Sequence, residues 1–102
     1  MSEPKTSPIE YLIRCESMEW WSPIDMPRVL CPRTIASEPC PGWGDHRIRV
    51  GDNEVSFSFE DSGWQVTFEG TALDERLCRQ IVEEILQNLE TATGEQGRVI
   101  DL

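Results

Sequence analysis

From residue 46 to residue 69 the chain alternates apolar and polar side chains over three short runs. Ile48 and Val50 are interleaved with Arg47 and Arg49. Val55, Phe57 and Phe59 are interleaved with Ser56, Ser58 and Glu60, and Trp64, Val66 and Phe68 with Gln65, Thr67 and Glu69. A period of two, carried by β-branched and aromatic residues, marks half-buried strands and predicts a three-stranded antiparallel meander over 46–69. Opposed residues must share a face, which sets Val50 against Val55 around an Asp52-Asn53 turn and Phe59 against Trp64. His46 then shares the parity of Ile48 and Val50 and faces the core beside Phe59 and Trp64. The opposite face carries Arg47, Arg49, Ser56, Ser58, Gln65 and Thr67 and reads as solvated.

The period changes after residue 70. Leu73, Leu77, Cys78, Ile81, Val82, Ile85, Leu86 and Leu89 recur at three- and four-residue spacing, so an amphipathic helix is expected over 72–91. Thr71, with Asp74 three residues on, is the expected N-cap, and Gly94 the expected left-handed stop. Glu83, Glu84 and Glu90 fall on the expected wet face. Residues 9–15 place Ile9, Tyr11, Ile13 and Cys15 on one side and read as a further strand after a flexible 1–8. Residues 98–102 read as an edge strand.

Between residues 16 and 45 neither period holds. This stretch contains five prolines and three of the four tryptophans. A structureless segment of about 30 residues is unusual in a compact domain, so something must order it. Ser22-Pro23 is a helix-start signature, predicting a helical turn at 23–26 that stops before Pro27. Trp20, Trp21 and Trp43 are expected to fold over the open end of the sheet as a lid. The expected fold class is α+β, in one domain spanning 1–102. It comprises an antiparallel meander sheet of three to five strands, one long amphipathic helix packed on one face, and a long Pro/Trp-rich crossover loop.

Charge narrows the partners. The formal charge is −10, with six basic and seven acidic residues in 1–51 against three and twelve in 52–102. Such a field repels phosphate backbones, so nucleic acid is not expected as a ligand, and it attracts basic proteins. No apolar run approaches the roughly 20 residues of a membrane span, and the polar start MSEPKTSP is not that of a signal peptide. The expectation is a cytoplasmic protein without a membrane role.

Cys15, Cys31, Cys40 and His46 would make a Cys3His set adequate for tetrahedral zinc, although no two of them form a close C-x2-C pair. A small-ligand or metal-binding domain organised by Cys31, Cys40 and His46 is thus the alternative reading. If any disulfide forms, Cys31–Cys40 is the bridge to test. The segments VLCPR and EPCPG resemble haem-regulatory Cys-Pro motifs, in which a thiolate before proline ligates iron. Each resemblance covers two residues, and an axial ligand alone does not make a haem pocket, so no cofactor is assigned. No nucleophile–base pair or phosphate-binding glycine loop stands out, and no enzymatic activity is expected.

By size and charge only, the chain resembles small acidic inhibitors and immunity proteins that cover basic enzymes. The resemblance implies a non-catalytic protein-binding module. Its expected contact residues are Trp20, Trp21 and Trp43 with Glu16 and Glu19, because aromatic anchors ringed by charge are what a binding hot spot needs. A homodimer through the 46–50 sheet edge or the Trp loop is a further expectation.

Overall fold

A computed structural model of the chain describes residues 8–15, 25–60, 63–70 and 74–102. It is a mixed α+β fold with one open antiparallel sheet and one main helix. The elements are β1 (Ile9–Cys15), α1 (Met26–Val29), β2 (Glu38–Pro39), β3 (His46–Val50), β4 (Asn53–Glu60), β5 (Gly63–Glu69), α2 (Glu75–Thr93) and β6 (Gly97–Asp101). The six strands lie in the order β2-β3-β4-β5-β1-β6. The expected count of three to five is thus exceeded. The additional strand, β2, is only two residues long, too short to show any alternation, and it lies inside the 16–45 crossover where neither period holds.

Within the meander, Phe59 opposes Trp64, Phe57 opposes Val66 and Val55 opposes Phe68, the pairing expected from parity. The β3–β4 register differs. Ile48 rather than Val50 opposes Val55, so the turn is Gly51-Asp52 and not Asp52-Asn53. The cause is Gly51, which adopts φ 60° inside the turn, a conformation it reaches without the Cβ clash other residues meet. A shift of two residues preserves both faces, but it places His46 opposite Phe57 instead of Phe59.

Helix α2 begins three residues later than expected from Thr71, because Asp74 is the N-cap. Its carboxylate accepts hydrogen bonds from the backbone N–H of Arg76 (2.9 Å) and Leu77 (3.4 Å). Gly94 ends the helix in the left-handed region and donates to the Glu90 carbonyl. Cys78, Ile81, Val82, Ile85 and Leu89 are buried against Tyr11, Ile13, Val55, Phe57, Val66 and Phe68. At about 1.5–3 kcal/mol for each fully buried aliphatic side chain, this stripe is the main source of stability.

The crossover supplies core as well. α1 is Met26–Val29, sharing only Met26 with the expected 23–26, whose residues 23 and 24 lie outside the described residues; with Asp25 as N-cap it runs through Pro27 in its first turn rather than stopping before it. Proline is tolerated there because first-turn N–H groups have no intrahelical acceptor. Val29 and Leu30 are buried in the same cluster as the α2 stripe, so both helices lie on the apolar side of the sheet. Two side chains of α2 tie the crossover down. Asn88 donates to the carbonyls of Val29 (3.1 Å) and Cys31 (2.8 Å). Glu84 accepts from the backbone N–H of Arg33 (2.7 Å) and Thr34 (2.9 Å) and from the Thr34 hydroxyl. Glu84 is therefore an anchor and not part of a wet face. Glu90 likewise accepts from the Gly97 N–H and guides the chain into β6.

Candidate functional site

The polar face of the sheet is organised around Arg47. Its side chain, only 11% exposed, reaches from β3 across β4 to β5. Nε donates to Glu54 (2.7 Å), Nη2 to Glu69 (3.2 Å) and Nη1 to the Ser56 hydroxyl. Farther across the sheet, Glu10 accepts from Gln65 (2.9 Å) and Thr67 (3.3 Å). Ser56 and Thr67 are buried beneath these longer side chains, so the centre of the face is a packed polar network and not the solvated surface expected from alternation. Burial alone would lower the Arg47 pKa, but its hydrogen bonds to Glu54 and Glu69 outweigh this and the net shift is upward. The same contact with Arg47 holds the Glu54 carboxyl below its usual range. One guanidinium shared by two carboxylates leaves the cluster anionic.

Trp43 is placed on this network by the loop entering β3. The Cys40 N–H donates to the Arg47 carbonyl, and the Asp45 N–H to the Phe57 carbonyl. The Asp45 carboxylate in turn accepts from the Phe59 N–H at 2.7 Å. Gly42, at φ 152°, lies where a Cβ would run into the Arg47 side chain, so only glycine lets the loop come this close. The Trp43 ring covers the guanidinium, 5.6 Å from the Arg47 central carbon to the ring centroid. Its Nε1 donates to Glu69 at 3.1 Å. Even so, Trp43 remains 51% exposed. It is thus not a lid on the apolar core, as expected, but an oriented aromatic on the opposite face. Trp20, Trp21, Glu16 and Glu19 lie outside the described residues.

The proposed ligand set is dispersed. Cys31 follows α1, and its thiol donates to the Arg28 carbonyl. The Cys40 thiol lies on the polar face, 3.8 Å from Glu54. His46 stacks on Phe57 on the apolar face. Cys15 closes β1 opposite Gly97, with β5 and β4 between it and β3. Strand alternation is what separates Cys40 from His46. Among the described residues no three His, Cys, Asp or Glu side chains are grouped as metal ligands. Cys31 and Cys40 are free thiols rather than the bridge considered from sequence. Cys78, buried in the α2 stripe, has its pKa pushed up to about 11, chiefly by burial.

Two buried ring nitrogens, His46 Nε2 and Trp64 Nε1, have no hydrogen-bond partner among the described residues. Burial lowers the His46 pKa. No helix among the described residues is long and apolar enough to cross a membrane. The fold and face together define an open-faced antiparallel sheet with one helical layer and an anchored surface tryptophan. Comparison with protein-family models, curated proteins and solved structures finds no match for the chain.

Proposed function

We propose that this chain is a non-catalytic protein-binding module of the acidic inhibitor or immunity type, and that the polar sheet face around Trp43 is its contact surface. The observation that carries the reading is the state of Trp43. Its indole is half exposed, yet it is held from one side by Arg47 and from its edge by Glu69. Ordering a large aromatic before binding removes part of the entropy cost of association, and Trp is the residue type most enriched at interface hot spots. Glu69 and Glu54 lie beside it through Arg47, and Glu10 carries a further carboxylate across the same face of a chain of formal charge −10, which favours a basic partner and salt-sensitive association.

The test is capture from the source cell extract at two ionic strengths, with wild type and Trp43→Ala as baits of equal thermal stability. A basic protein held by wild type at low salt, released at high salt and lost by Trp43→Ala is the expected result. Equal recovery by both baits removes Trp43 from the contact surface.

A further inference from the structure

The two edges of the sheet are built differently. One ends in β2, which is two residues long and carries Pro39, so it offers almost no backbone donors to an added strand. The other ends in β6, five residues without proline, paired only with β1 among the described residues. The 46–50 edge expected to mediate self-pairing is therefore covered by β2, and among the described residues the free edge is β6.

Side chains beside this edge are also unusual. Arg98 on β6 directly opposes Arg14 on β1. On the other side of Arg14 stands Gly63, which has no side chain to offer. Both arginines are exposed, and neither joins an ion pair among the described residues. Like charges directly opposed across a strand pair are destabilising, and this chain has nineteen acidic residues from which to draw a compensating partner. The carboxylate on β6 itself, Asp101, has the other parity and is engaged by Arg79 at 2.7 Å. On the face of the arginine pair, the next row is Leu12 opposite Ile100.

From these features we infer that β6 receives an extended acidic segment of a partner protein, added antiparallel as a seventh strand. A carboxylate opposite Arg98 would neutralise the Arg14–Arg98 pair. An apolar residue two positions away would extend the Leu12–Ile100 row. Backbone hydrogen bonds to β6 would supply affinity and these two side chains the selectivity. A second copy of this chain fits less well. In the full-overlap antiparallel pairing of two β6 strands, Arg98 faces Ile100 of the other copy, and the two Arg98 side chains become diagonal neighbours about 7–8 Å apart. Self-pairing therefore adds positive charge where the edge already has an excess. Arg14 and Arg98 share the polar face with Trp43 but lie at its far end, with β4, β5 and β1 between β3 and β6, so each proposal can fail without the other.

A displayed library of random nine-residue peptides, selected on the full chain, is a direct test. Enriched peptides are expected to carry Asp or Glu two positions from Val, Ile or Leu, and to shift the backbone amide resonances of residues 97–101. Affinity is expected to fall at least tenfold in Arg14→Gln/Arg98→Gln and to stay unchanged in Trp43→Ala. Because both arginines are exposed and their mutual repulsion is removed, the double variant should keep the wild-type circular dichroism and melt no lower than wild type. No enrichment, enriched peptides lacking acid, or resonance shifts confined to other elements would overturn the inference. So would a dimer in sedimentation that competes with the peptides, or displacement of them by a single-stranded oligonucleotide bound at the arginine pair.

Discussion

The indole of Trp43 lies over the guanidinium of Arg47 on the sheet face that neither helix covers, with 5.6 Å between the ring centroid and the guanidinium carbon. Arg47 therefore links three strands to an exposed aromatic. Replacing it with methionine keeps much of the stem but leaves Glu54 and Glu69 facing one another, and Glu54 already opposes Glu69 in the β4–β5 register. Arg47→Met is expected to destabilise the fold by about 2 kcal/mol, the scale for leaving charged hydrogen-bond partners unsatisfied. It should also release Trp43. Urea titration followed by tryptophan fluorescence and circular dichroism reads both effects. An unchanged midpoint would mean that the network does not brace the sheet.

Glu84 makes a different kind of tie, between the middle of α2 and the loop after α1. The Thr34 hydroxyl and N–H, followed by Gln80 and the Arg33 N–H, hold its carboxyl down at about 2. A carboxyl with its folded pKa below the unfolded value stabilises the fold at pH above the unfolded pKa. This contribution is lost as the pH falls from about 4.5 toward about 2, because the unfolded chain takes up the proton first. Glu84→Gln is expected to destabilise the protein by about 1–3 kcal/mol at neutral pH and to flatten the stability profile across that window. Denaturation midpoints at pH 7, 4 and 2.5 are the measurement. Parallel wild-type and variant profiles would show that Glu84 does not carry the linkage.

How much of this was legible follows from which interactions are local. Alternation in 46–69 is a local signal, and the β4–β5 pairing follows it residue for residue. The stripe from Leu77 to Leu89 and the Gly94 stop are equally local, and both appear in α2. The β3–β4 slip was also written locally, in a glycine whose freedom at positive φ outweighed the preference for Asp52-Asn53 in the turn. What was not legible depends on distant contacts. Glu84 reads as one more exposed helix carboxylate until Thr34, 50 residues away, is brought to it. Trp43 reads as a core lid because aromatics in loops usually bury their area. Its actual face is set by Gly42 and Asp45, which carry the loop onto the other side of the sheet. The dispersal of Cys31, Cys40 and His46 had a readable cause in part, since strand parity already pointed His46 at the core.

Three thiols should react in an order set by their surroundings. Cys31 and Cys40 are partly exposed, whereas Cys78 is 3% exposed and its pKa is pushed up to about 11. Thiolate, not thiol, is the nucleophile, so at pH 8 the folded protein should label at Cys31 and Cys40 and spare Cys78. Unfolding in guanidinium should make Cys78 reactive. Peptide mapping by mass spectrometry after a short alkylation distinguishes the sites. Labelling of Cys78 at the rate of Cys40 in the folded protein would show that α2 opens from the sheet far more readily than its buried stripe implies.

His46 should make the fold sensitive to mild acid. Its ring stacks on Phe57 at 5.9 Å between centroids, Nε2 is buried without a partner among the described residues, and burial lowers its pKa from 6.5. With the folded pKa below the unfolded one, the unfolded chain binds the proton first as the pH falls below about 6.5. Stability is therefore full above that pH and declines as the solution is acidified toward the folded pKa, well before the Glu84 window is reached. His46→Phe removes both the titration and the unsatisfied nitrogen while keeping an aromatic ring against Phe57. The variant is expected to match or exceed wild type by about 1 kcal/mol at pH 7.5, since an unpaired buried polar atom costs free energy of that order. Its advantage should widen at pH 5.5. Paired denaturation curves at the two pH values decide the matter, and a constant difference between wild type and variant would mean that His46 is already solvated in the folded state.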